Sequence, residues 1–119
     1  MLADTSVWVR HLREGDVHLA AALERTEVWT HPWVVGELGC GRLSDRATVL
    51  ELLRALPSTP VASVDEVLAL IERRALTGRG IGWVDVQLLA SALLAAVPIW
   101  TLDRRLAAVA AELGVEHEG

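Results

Sequence analysis

The sequence predicts an α/β fold, a mostly parallel twisted sheet flanked by helices. Three observations carry this expectation. Short apolar runs alternate with longer segments of helical period, the pattern of strands joined by crossover helices. Hydrophobic residues make up 52% of the chain and mean hydropathy is +0.36, which excludes a disordered chain and suggests a sheet covered on both faces. A length of 119 residues fits one core and falls short of two, so a single domain over 1–119 is expected.

The elements follow in order. Residues 1–4 form a very short apolar run, ambiguous alone, but Asp4-Thr5-Ser6 then supplies helix-capping side chains. The helix after them carries Val7, Trp8 and Leu12 and ends at Gly15. Residues 17–25 read as a second helix with Leu19, Ala20 and Leu23 at helical spacing. Residues 27–31 form a short strand, and Pro32 suits the first turn of a helix, where its missing N–H costs nothing. The helix over 33–43 carries Gly36, Gly39 and Gly41. Each glycine costs about 1 kcal/mol relative to alanine, so a close backbone approach is expected there.

Residues 45–56 form an amphipathic helix stopped by Pro57, and 59–63 a short strand around Pro60. A helix over 63–76 opens with Ser63 and Glu66 at capping-box spacing. A glycine-rich loop over 77–82 leads to a nearly all-apolar helix over 83–96, expected to be buried. A buried strand over 97–102, a closing helix over 103–113 ended by Gly114, and an edge strand over 115–117 complete the chain.

Charge and composition exclude several classes. Eleven basic residues against 16 acidic ones give a net charge of −5, which argues against loose electrostatic binding to nucleic acid. All eleven basic residues are arginine, whose planar fork suits phosphate recognition. One cysteine, Cys40, rules out an internal disulfide and is compatible with a reducing compartment. No apolar run reaches the roughly 20 residues of a membrane helix, and no signal peptide is visible. A cytoplasmic protein is expected.

Four acids stand out by context. Asp4 and Asp103 each sit where an apolar strand passes into a helix, which puts them on the same edge of a parallel sheet, where such folds bind ligands. Asp85 opens the buried helix, and Glu37 lies among Val34, Val35 and Leu38 on the glycine-rich one. Each also has a purely structural reading: an N-cap for Asp4 and Asp103, a first-turn acid for Asp85, a solvated side chain for Glu37. Taken together, clustered carboxylates repel one another unless a cation is present. Hard cations such as Mg²⁺ or Mn²⁺ take oxygen ligands and keep waters for the substrate, and such a pair suffices for phosphodiester hydrolysis.

The ordered motifs resemble the PIN-domain ribonucleases, and specifically the VapC toxins of toxin–antitoxin pairs. Leu2-Ala3-Asp4-Thr5-Ser6-Val7-Trp8 is similar to the family's first motif and Val35-Gly36-Glu37-Leu38 to its second. Gly82-Trp83-Val84-Asp85 with Leu88-Leu89-Ala90-Ser91-Ala92 is similar to the third, and Trp100-Thr101-Leu102-Asp103-Arg104-Arg105-Leu106 to the fourth. The resemblance spans nearly the whole chain. It implies a three-layer PIN-like fold, Mg²⁺ or Mn²⁺ held by Asp4, Asp85 and Asp103, and endonucleolytic cleavage of RNA. It implies for Glu37 a role as fourth ligand or as orienter of the attacking water. It further implies a small VapB-like antitoxin as partner and a homodimer.

Thr5, Ser6 and Thr101 stand beside these acids as candidates for hydrogen bonds to them or to phosphate, and Arg104 is the leading candidate for a phosphate contact. Arg10, Arg13, Arg42, Arg46 and Arg105 are further candidates for the cleft border. Setting the four site acids aside leaves 12 acidic residues against 11 arginines. The negative charge therefore belongs largely to the site, and RNA binding is expected to depend on metal. His11, His18, His31 and His117 lack metal-ligand spacing and are expected at the surface. The five tryptophans, Trp8, Trp29, Trp33, Trp83 and Trp100, are expected to pack in the core or an interface. A receiver domain or a haloacid-dehalogenase-like phosphatase is disfavoured because both use a lysine and this chain has none. A degenerate PIN domain acting only as a binding module is the alternative reading.

Overall fold

The computed structural model describes residues 1–118, with two short strands and seven helices: β1 (Leu2–Ala3), α1 (Thr5–Glu14), α2 (Val17–Glu24), α3 (Pro32–Cys40), α4 (Arg46–Ala55), α5 (Val64–Arg73), α6 (Trp83–Ala95), β2 (Ile99–Trp100) and α7 (Arg104–Glu112). β1 and β2 pair in parallel, Leu2 with Ile99 and Ala3 with Trp100. Single parallel bridges extend this pair on both sides: Leu2 with Trp29, Thr30 with Ser58, and Ile99 with Glu116. The resulting order across the sheet is Ser58, Trp29–Thr30, β1, β2, Glu116. The chain runs outward in one direction from β1, then crosses back to its other side at β2.

The core is built where this sheet meets its helices. Leu2, Ala3 and Ile99 are buried, with Val7 and Trp8 of α1, Val34 and Leu38 of α3, Leu53 of α4, Val67 of α5 and Leu106 and Val109 of α7 packed around them. Along α6 every residue from Val86 to Ala92 is buried, so this helix crosses the middle of the molecule. Its two ends behave differently: Trp83, Leu93 and Leu94 are exposed. The capping box at Ser63 and Glu66 forms as the sequence predicts, with Ser63 N donating to Glu66 Oε1 at 2.8 Å and Glu66 N to Ser63 Oγ at 3.1 Å.

Two expectations need correction. Residues 59–63 are not a strand; the bridge to Thr30 lies earlier, at Ser58. Pro60 lacks the N–H that a ladder requires, and Ala62 pairs instead with a side chain, as described below. The helix expected over 33–43 ends at Cys40, and its glycines serve no close approach. A Cβ on Gly36 would meet nothing within 4 Å, and one on Gly39 only the Arg46 guanidinium at 3.7 Å. Of the five tryptophans, Trp8 is fully buried, Trp29, Trp33 and Trp100 are half-buried, and Trp83 is 39% exposed.

Candidate active site

Asp4 leaves the carboxyl end of β1 with its backbone still in the sheet, its N–H donating to Trp100 O at 3.0 Å. It is 6% exposed, and its Oδ1 caps α1 by accepting from Val7 N at 3.2 Å. Ser6 Oγ donates to the same oxygen, and Thr101 Oγ1 donates to Oδ2. Burial pushes the Asp4 carboxyl above the usual carboxylate range, and the hydrogen bonds from Ser6, Thr101 and Val7 pull it partly back.

Thr101 and Ser6 carry the connection across the sheet. Thr101 Oγ1 also accepts from Asp103 N at 3.0 Å, and Ser6 Oγ accepts from Leu102 N at 3.0 Å. The turn after β2 is thereby fixed against the turn after β1, and Asp103 comes to the same edge as Asp4. Asp103 itself is exposed and caps α7, Oδ1 accepting from Arg105 N at 2.9 Å and Leu106 N at 3.1 Å.

Glu37, exposed on α3, accepts from Thr5 Oγ1 at 2.7 Å. Since Thr5 adjoins Asp4, this bond brings Glu37 beside the same edge. A groove of about 360 Å³ runs on from there between α1 and α3, lined by Thr5, Val9, Arg13, Glu37 and Arg42 among others. Of the arginines considered for the cleft border, these two line it. Arg10 is instead paired with Asp16, and Arg46 donates to the carbonyls of Gly39 and Gly41. Arg104 is exposed beside Asp103.

Asp85 stands apart from this hydrogen-bonded web. It is half-buried in the first turn of α6, and its Oδ2 accepts from Gly82 N at 3.0 Å. The loop before it reaches α7 at Gly80, whose φ of +78° needs a glycine and which packs against the Arg105 side chain.

Asp4, Ser6, Thr101 and Asp103 therefore form one hydrogen-bonded set, with the Thr5–Glu37 pair adjoining it along the chain and Asp85 outside it. Among the described residues, no three acidic, histidine or cysteine side chains are gathered closely enough to hold an ion as they stand. The donor chemistry nevertheless fits a hard divalent cation, because every ligand atom available is a carboxylate oxygen. Asp85 caps through Oδ2 alone and Asp103 through Oδ1 alone, which leaves one oxygen of each free of a protein hydrogen bond.

A second polar cluster was not legible as such in the sequence. His31, expected at the surface, is completely buried. Its Nδ1 caps α3 by accepting from Trp33 N at 3.0 Å, and its Nε2 lies 3.0 Å from Ser91 Oγ and 3.3 Å from Gln87 Oε1. Gln87 Oε1 accepts from Ala62 N at 2.8 Å and from Ser91 Oγ at 2.8 Å, while its Nε2 donates to Ala62 O at 2.9 Å. Two signals could have found this cluster. A residue directly before a proline at the first helical turn is an N-cap, which imidazole can serve, and a lone glutamine in an otherwise apolar buried helix must find partners.

Three comparisons bear on the family and the fold. The PIN domain family model matches residues 1–112. The chain is 48% identical over 116 residues to ribonuclease VapC32 from two strains of Mycobacterium tuberculosis, a match covering 97% of this chain and 94% of each relative. Its fold is similar to the crystal structure of PAE2754 from Pyrobaculum aerophilum, with a TM-score of 0.63 at 18% identity, over 97% of this chain and 89% of that one.

Proposed function

The chain belongs to the PIN-domain family as a VapC-type ribonuclease, and from that premise we propose that it cuts RNA with Mg²⁺ or Mn²⁺ held by Asp4, Asp85 and Asp103. The observation that carries the reading is Asp4, a buried carboxylate at the point where the strand order reverses, tied by Thr101 to the turn that bears Asp103. A bound divalent ion would supply a water of lowered pKa and offset the charge gathering on the phosphate.

The chain's own groups do the rest. Ser6 and Thr101 fix both oxygens of Asp4. Thr5 holds Glu37 in place, where its carboxylate would orient the attacking water or complete the ligands of a bound ion. Arg13 and Arg42 along the α1–α3 groove, and Arg104 beside Asp103, meet the phosphates of the strand. Asp4 and Asp103 both act as N-caps, so the structural reading of each acid holds together with the functional one. The alternative of a non-catalytic binding module is disfavoured because all four acids are present.

The partner of such a toxin is a small antitoxin, whose inhibitory segment would block the acidic edge, an arginine being the side chain best suited to enter it. We also read the active form as a homodimer. No helix of the described residues is long and apolar enough to cross a membrane.

The test is cleavage of RNA by purified protein with and without Mg²⁺ or Mn²⁺, beside Asp4→Asn. Cleavage that requires the ion and is lost in the variant is the expected result. Cleavage that survives both chelation and the substitution would falsify the mechanism.

A further inference from the structure

α3, which bears Glu37, packs mainly on α1 and α4; α6, which bears Asp85, packs mainly on α5 and β2. The two helices are joined directly by the His31 cluster. His31 follows Thr30 at the same carboxyl edge of the sheet as Asp4, caps the start of α3, and reaches Gln87 and Ser91 on α6. Gln87 lies two residues beyond Asp85 on that helix.

The tautomer follows from the bonds. Trp33 N–H can only donate, so Nδ1 must carry the lone pair and Nε2 the proton. Nε2–H then donates to Ser91 Oγ, which in turn donates to Gln87 Oε1. Each member has one consistent role, as a fully satisfied buried network requires.

We propose that His31 is a positioning residue for RNA cleavage: as the Nε2–H tautomer it holds the Glu37 helix in register with the Asp85 helix, and a proton added at Nδ1 breaks that register. The inference rests on the reading of the site above. An Nδ1–H would face the Trp33 N–H, so protonation removes the α3 cap and puts a charge where no water reaches. The ring meets Gln87 and Ser91 from α6 and Trp33 from α3, and Ala62 enters the cluster through Gln87; none of these titrates between pH 5 and 8. Burial holds the imidazole below its ordinary pKa and the bond to Gln87 raises it, with no ionised side chain contributing. The device is therefore intact at neutral pH and fails on acidification.

Two substitutions separate the ring's jobs. In His31→Asn the amide oxygen can still accept from Trp33 N–H, but the link to α6 is gone. In His31→Gln the amide nitrogen can still donate to α6, but nothing titrates. Wild-type cleavage in Mn²⁺ and its loss in Asp4→Asn first test the site itself; the His31 variants then test the strut. At pH 7.5 His31→Asn is expected to lower kcat roughly tenfold with little change in KM, and to weaken Mn²⁺ binding by calorimetry roughly tenfold. His31→Gln is expected to keep kcat within about twofold and to lose the part of the acid limb owed to His31. Ser91→Ala removes the shorter of the two contacts to α6, leaving only the 3.3 Å approach of Nε2 to Gln87 Oε1, without touching the cap, and is the substitute if His31→Asn melts below assay temperature. Ring ¹⁵N shifts should report Nε2–H at pH 7.5, independently of activity. Wild-type kcat and Mn²⁺ affinity in the folded His31→Asn or Ser91→Ala protein would overturn the proposal. So would an acid limb in His31→Gln that superimposes on the wild type, or an Nδ1–H tautomer.

Discussion

Replacing Gln87 by leucine tests how much of the fold rests on one amide. Leucine has nearly the same volume and, in so apolar a helix, would be the residue that hydrophobicity alone would choose. The structure says otherwise. Gln87 supplies both an acceptor for Ala62 N and a donor for Ala62 O, and it accepts from Ser91. Ala62 is 3% exposed, so water cannot replace what leucine removes. Two backbone groups then lie buried with poor partners, each costing about 1–3 kcal/mol, against which leucine recovers about 1 kcal/mol of apolar burial. The net expectation is a loss of about 3 kcal/mol. With a urea m-value of about 1.5 kcal/mol/M, the midpoint of unfolding should fall by about 2 M at unchanged slope. Equilibrium unfolding followed by tryptophan fluorescence and by circular dichroism reads this directly. A midpoint within about 0.5 M of wild type, with the same slope, would refute the reasoning and mean that Ala62 finds other partners.

Thr101→Val is nearly isosteric and removes the hydroxyl between Asp4 and the turn at Asp103. It should lower kcat for RNA cleavage about tenfold in a protein whose melting remains cooperative; an unchanged kcat would detach Thr101 from the site. Folding stability should depend on pH through His31. Its folded pKa lies below the ordinary 6.5, so its contribution is fully present above that pH and is lost as pH falls from there toward the folded value. Denaturation at pH 7.5 and 5.5 should show a larger drop for wild type than for His31→Gln, and equal drops would contradict this. RNA binding measured by anisotropy with an uncleavable oligonucleotide should weaken strongly in chelator, since most of the net charge sits at the site; tight metal-free binding would count against that account.

The sequence made Asp4 and Asp103 readable because an apolar run followed by capping residues marks a strand end, and both acids do cap the helices that follow. Asp85 stood out as the acid that opens the buried helix, whereas Glu37 was legible mainly through resemblance: nothing in local periodicity says that a glutamate on an exposed turn meets Thr5 across 32 residues. The errors have physical causes. A strand was expected around Pro60 because Val61 and its neighbours favour extended backbone, but the partner of that segment is a side chain rather than a strand, and side-chain partners leave no periodic trace. His31 was assigned to solvent because isolated histidines usually belong there; its burial depends on Gln87 and Ser91, which lie 56 and 60 residues away. The glycines of α3 suggested a close approach that the structure does not contain, and nothing in the structure explains Gly36.

The pairing of Gln87 with Ala62 also takes up two backbone groups near the outer edge of the sheet. A sheet that ends in free N–H and C=O groups is a template on which another chain can add a strand. Just past the outer bridge at Ser58, this chain offers a proline with no donor and then an alanine whose donor and acceptor are both taken by an amide from inside the protein. An apolar protein with a short, mostly parallel sheet has few backbone groups to spare at such an edge, and the amide of one glutamine takes up both of those that Ala62 would present.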